Sequence, residues 1–176
     1  TTLAGIGVGG QGIQNMLRFA KMPEIQITAV CDVNREGDGY MSWNWGQGKD
    51  ARRAGREPAK QAIEQLYARG LGTGKYRSCS TYADYRELLD KEDVDAVMIA
   101  TPDHSHAVIT MAAIKRGKHV YCEKPLTYSV LEARQVTEAA RRAKVATQLG
   151  NQGQAENMAR MIQEYILDGA IGPVHE

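Results

Sequence analysis

The sequence predicts an α/β protein with a doubly wound, mostly parallel sheet. Three observations carry this. An apolar strand-like stretch, Leu3 to Val8, runs into the glycine-rich loop Gly7-Val8-Gly9-Gly10-Gln11-Gly12. Helical spacing of Ile13, Met16, Leu17 and Ala20 follows, and then a β-rich run, Ile25 to Cys31, that ends in Asp32. From there strand-like runs alternate with helical patterns of 10–15 residues to the end of the chain, as a parallel sheet covered by helices requires.

The elements follow in order. Residues 2–8 read as strand, 11–21 as helix and 25–32 as strand. Tyr82, Tyr85, Leu88 and Leu89 fall at helical spacing and predict a helix over 82–91. Val94 to Ala100 is a short apolar run of the buried parallel kind. Residues 105–116 are helical and stop at Gly117, a C′ glycine. His119 to Glu123 reads as strand, 129–143 as helix, Ala146 to Leu149 as strand and 154–168 as a last helix closed by Gly169. Residues 34–75 break the rhythm, being too long for an ordinary connection. They hold Tyr40, Trp43, Trp45, the run Lys49 to Arg53 and a helical patch from Pro58 to Ala68. Two readings stand for this excursion: surface packing, or a loop over the cofactor or sugar site.

The G-x-G-x-x-G pattern suits a dinucleotide. Gly7 allows a tight turn, Gly9 lets backbone approach a pyrophosphate, and Gly12 lets the helix pack close to the strand. With Gly10 and Gln11 they form the candidate phosphate loop, and the helix N-terminus offers unpaired N–H groups to the phosphates. Asp32 comes twenty-five residues after Gly7, near the spacing of about 20 expected for the acid that binds a ribose hydroxyl. An acid there favours NAD. Arg35 can instead pair with a 2′-phosphate, which leaves NADP open.

Two more motifs follow strands, at the sheet edge where open α/β folds bind ligands. In Thr101-Pro102-Asp103-His104-Ser105-His106, proline stops the ladder, and Asp103 or Ser105 can cap the next helix. The histidines are either solvated or part of the cofactor cleft. Cys122-Glu123-Lys124-Pro125 is either a loop with a solvated salt bridge or a site where burial and a nearby nicotinamide cation both disfavour the ammonium and suit Lys124 to proton transfer. Glu123 would hold the lysine in place.

Composition bounds the rest. The 22 basic and 21 acidic residues leave no basic stripe for nucleic acid. No apolar run approaches the ~20 residues that span a membrane. Cys31, Cys79 and Cys122 lack metal-ligand spacing, so no metal is expected, and Cys31 and Cys122, in or beside strands, read as buried thiols.

Taken together, the glycine loop, Asp32, the T-P-x-x-x-H of Thr101 to His106 and the G-K-H-V-x-x-E-K-P of Gly117 to Pro125 resemble the family of glucose–fructose oxidoreductase and inositol 2-dehydrogenase. The resemblance covers nearly the whole chain apart from 34–75. It implies a Rossmann fold over 1–150, and a junction over 151–176 into a second, open-sheet domain. That domain would supply a catalytic histidine and substrate contacts and mediate homo-oligomerisation. The resemblance also implies that Lys124 is catalytic, that the Lys124–Pro125 bond is cis, and that Thr101, Pro102, His104, His106, Glu123 and Pro125 belong to the cofactor site. The implied activity is hydride transfer between NAD(P) and a sugar, cyclitol or glycoside. Two alternatives stay open: glycoside cleavage through transient oxidation, and a non-catalytic nucleotide sensor. The family includes cytosolic and exported proteins, so the compartment is open.

Overall fold

A computed structural model describes residues 1–38, 53–70 and 79–173. Six parallel strands form one sheet in the order β3-β2-β1-β4-β5-β6. They are β1 (Thr2–Ile6), β2 (Gln26–Cys31), β3 (Ser80–Tyr82), β4 (Ala96–Ile99), β5 (His119–Glu123) and β6 (Thr147–Gly150). The helices are α1 (Gly10–Phe19), α2 (Arg56–Gly70), α3 (Tyr85–Lys91), α4 (His106–Lys115), α5 (Val130–Ala143) and α6 (Asn157–Leu167).

Strand alternation sorts the core into two layers, because successive side chains leave opposite faces of a sheet. Leu3, Ile27, Val30 and Met98 meet Met16 of α1, Ala20 at its C-cap, and Ala59 and Ile63 of α2; Ile27 and Val30 share this face, though three residues apart, because the β1–β2 register shifts between them. Ala4, Ile6, Ala29, Val97, Ile99 and Val120 face the other way, against Leu88 of α3, Ile109 and Ala113 of α4 and Val136 of α5. The strand order reverses between β1 and β4. That crevice is the switch point where such sheets bind ligands.

Several boundaries differ from the expectation. Tyr82 belongs to β3, a three-residue edge strand paired with β2 alone. The helix starts at Tyr85 because the Asp84 carboxylate accepts from the Arg86 N–H and caps it. The last helix begins at Asn157, after a 3-10 turn over Gln152–Ala155. Much of the 34–75 excursion is the regular crossover helix α2, whose Ala59 and Ile63 are buried against the sheet. Tyr40, Trp43, Trp45 and the run from Lys49 to Arg52 lie outside the described residues. Arg53 pairs with Glu36 at 3.2 Å. Gly117 stands at the expected C′ position of α4 with φ of 70°. All three cysteines are buried and free.

Helix α6 stands apart. It exposes Met158, Ile162, Tyr165 and Leu167, and none of its residues is buried. Its main contacts among the described elements are to the 3-10 turn before it. No described helix is long and apolar enough to cross a membrane.

Candidate cofactor cleft

A cleft of about 770 Å³ opens at the carboxyl ends of β1, β2 and β4. Gly7, Gly9, Gly10, Gln11, Asp32, Thr101, Pro102 and His104 all line it, with Val33 and Tyr85. Three motifs far apart in sequence therefore converge on one space.

The glycines fit the close approach expected of them. Gly7 has φ of 79°, and a Cβ there would lie 2.6 Å from the Thr101 nitrogen. A Cβ on Gly12 would lie 1.8 Å from the Gly7 carbonyl oxygen. Gly12 is buried beneath the loop rather than lining the cleft, which is the helix–strand packing role. Helix α1 starts at Gly10 with Gly9 as its N-cap and no side chain capping its first turn. Gly9, Gly10 and Gln11 at this helix start line the cleft, and an uncapped helix N-terminus offers N–H groups to an anion.

Asp32 is buried at the end of β2. Its Oδ2 accepts from the Val8 and Gly9 N–H groups, each at 3.1 Å, and its Oδ1 from the Asn34 N–H at 3.0 Å. The carboxylate thus shapes the glycine loop while it faces the cleft. Arg56 Nη1 donates to the carbonyls of Asp32 and Val33, at 3.0 and 3.1 Å. Arg35 is exposed.

His106 differs from its expected place. It is 1% exposed and lies behind the cleft, not on its wall. Nδ1 is 2.6 Å from the Pro125 carbonyl oxygen and Nε2 is 2.8 Å from that of Thr101. One imidazole therefore spans the T-P loop and the E-K-P loop. Ser105 does not cap α4. Its hydroxyl bonds Thr101 Oγ1 at 2.7 Å and the Pro102 carbonyl at 2.8 Å. Asp103 opens a 3-10 turn instead.

The E-K-P loop also departs from expectation. The Lys124–Pro125 bond is cis, as expected. Lys124 and Pro125 are exposed, and neither is part of the cleft wall. This domain does not bury Lys124 because the loop leaves the sheet edge beyond β5. Glu123 is buried, but it does not hold the lysine. Its Oε1 accepts from Asn15 Nδ2 and, at 2.5 Å, from Gln152 Nε2. Buried Asn15 in turn accepts from Gln11 Nε2 at 2.8 Å. Tyr121 on the same strand has its phenol pushed up to about 12, first by burial and then by Glu123.

Asn15 and Gln152 were not among the residues expected here. Asn15 had a readable signal, a polar side chain on the same face as Met16 and Gly12 of an amphipathic helix. Gln152 had none. Among the described residues no cluster of three or more His, Cys, Asp or Glu could hold a metal.

The sequence pattern of a family described as an oxidoreductase family with an NAD-binding Rossmann fold matches residues 48–151. A 1,5-anhydro-D-fructose reductase of Ensifer adhaerens is 40% identical over 60% of this chain and 30% of its own length. An inositol 2-dehydrogenase of Salmonella paratyphi B is 28% identical over 98% of this chain and 43% of its own. A scyllo-inositol dehydrogenase of Lactobacillus casei, solved with NAD(H) and scyllo-inositol, superposes with a TM-score of 0.66. It is 19% identical over 97% of this chain and 42% of its own. The chain thus spans less than half the length of these relatives.

Proposed function

The chain belongs to the oxidoreductase family with an NAD-binding Rossmann fold, and from this we propose that it carries the cofactor half of an enzyme oxidising a sugar, cyclitol or related polyol. The observation that supports this most is the convergence of three motifs on one edge of the sheet. Gly7, Gly9, Asp32, Thr101 and Pro102 line a single cleft, and the His106 ring ties its T-P wall to the loop of Lys124 and Pro125. Bound NAD supplies the hydride acceptor. The chain's own groups do the rest. The loop N–H groups and the start of α1 bind the pyrophosphate, and Asp32 takes a ribose hydroxyl. Lys124 Nζ accepts the proton of the substrate hydroxyl as hydride leaves its carbon. Asp32 favours NAD over NADP by repelling a 2′-phosphate.

Lys124 is open to solvent here. In this reading a second domain, joined through residues 151–176, closes over it and supplies further substrate contacts. The exposed apolar stripe of α6 and the greater length of the relatives support this.

The test is a panel of myo-inositol, scyllo-inositol, levoglucosan, 1,5-anhydro-D-glucitol and an aryl glycoside given to the intact protein with NAD, followed by absorbance and product analysis. Stoichiometric reduction of NAD by a polyol is expected. Cleavage of an aryl glycoside without net reduction would replace this reading with transient oxidation. Cofactor binding with neither reaction across the panel would reduce it to a nucleotide-binding module.

A further inference from the structure

The mechanism leaves one buried polar cluster unused. The Glu123 carboxylate is 7% exposed and the Asn15 amide 3% exposed. Both amide donors to the carboxylate converge on one oxygen, Oε1, from Asn15 on α1 and from Gln152 in the turn after β6. Gln152 Nε2 also reaches Asn15 Oδ1 at 3.4 Å. The fit is tight, since a Cβ on Gly150 would lie 2.7 Å from Glu123 Oε1. At the other end, Gln11 lines the cofactor cleft and donates to Asn15. Three separate segments therefore meet at the residue directly before Lys124. Burying a carboxylate is costly unless its hydrogen bonds are met. Two amides, and no cation, satisfy Oε1 here, which leaves Lys124 Nζ without an ion pair to a described carboxylate.

We propose that Asn15 and Gln152 are positioning residues for Lys124. They hold the Glu123 carboxylate, and through it the Lys124 backbone, in fixed relation to the phosphate-binding helix. The backbone link is direct: the Lys124 N–H donates to the Gly150 carbonyl at 3.3 Å, inside the same cluster. Asn15 and Gln152 touch neither substrate nor nicotinamide in this account. Their effect belongs on turnover and on the order of the loop, not on cofactor affinity. The inference rests on the assignment of proton transfer to Lys124.

The test compares Asn15→Asp with the double variant Asn15→Asp/Glu123→Gln, which exchanges carboxylate and amide across the same contact. The single variant opposes two carboxylates, and the double one restores a donor facing an acceptor. In the intact protein, Asn15→Asp is expected to lower kcat at least tenfold. The Kd for NAD+ should stay within threefold, and the double variant should recover most of the loss. Hydrogen exchange at the Lys124 amide, which needs no substrate, should quicken at least tenfold in Asn15→Asp and slow again in the double variant. An unchanged kcat and exchange rate in Asn15→Asp would overturn the proposal, as would a double variant as impaired as the single one. Lys124→Ala is the control for the underlying assignment. If it keeps turnover, the proton-transfer role fails, and the exchange measurement still decides whether Asn15 anchors the loop.

Discussion

The β1–β4 crevice and the loop after β5 lie at the same edge of one sheet, but they are built to different degrees. In the crevice, Asp32 holds the glycine loop by two backbone hydrogen bonds, α1 starts on that loop, and Thr101 and Pro102 close the far wall. After β5, Glu123 is anchored as firmly, but Lys124 stands in solvent one residue later. Beyond it α6 carries an exposed apolar stripe. A nucleotide can be gripped by backbone and one domain's loops, whereas the proton transfer proposed for Lys124 requires water to be excluded by a cover from elsewhere.

The largest effect falls on the crevice. Gly12→Val puts a side chain into the Gly7 carbonyl. It should cost at least about 3 kcal/mol of stability, and NAD binding should vanish in calorimetry. A folded, NAD-binding Gly12→Val would break the comparison at its firmer side. Asp32→Ala removes the acceptor for the Val8 and Gly9 N–H groups. NAD+ affinity should fall roughly tenfold, about 1.4 kcal/mol, while NADP+ affinity falls less. Titration of both cofactors reads the ratio, and an unchanged ratio would remove Asp32 from the ribose site.

The next effect is alkaline and sits in the core behind both regions. Burial, the first cause in each case, pushes the Cys31 and Cys79 thiols up to about 12 and Cys122 up to about 11, from 9.0. The folded state keeps these protons where the unfolded chain loses them. Stability is therefore whole below pH 9 and declines as pH rises from 9 through 11 to 12. Each thiol contributes a slope of up to about 1.4 kcal/mol per pH unit. The melting temperature should drop between pH 8 and pH 10, and less steeply in Cys31→Ala. Smallest is Ser129→Ala. It removes the capping box in which the Ser129 hydroxyl accepts from the Glu132 N–H at the start of α5. The loss should be about 1 kcal/mol with NAD affinity untouched, which separates the stability of the β5 side from the grip of the crevice.

What could be read from sequence tracks the range of the contacts. The glycine loop, Asp32 and Thr101-Pro102 are each written in a short local pattern, and the structure brings them to one cleft, while the cis Lys124–Pro125 bond followed from the family resemblance alone. The helix α2 was visible as a patch, but its role as a layer on the sheet was not, because the long segment around it obscured the crossover. β3 is three residues at an edge, too short for periodicity to declare. The partners of Glu123 lie 108 and 29 residues away in sequence, so its pairing with Asn15 and Gln152 had no local trace. A charge beside a lysine suggested an ion pair, and the tertiary structure gave the carboxylate to amides instead. His106 was legible as part of a motif, while its place between two loops depended on both being folded.

The most direct measurement compares wild type and Lys124→Ala of the intact protein, taking the NAD+ Kd by calorimetry and kcat on a polyol that reduces the cofactor. The account predicts a Kd within threefold of wild type and a kcat lower by at least a hundredfold. A Lys124→Ala protein that turns over at near the wild-type rate would contradict it.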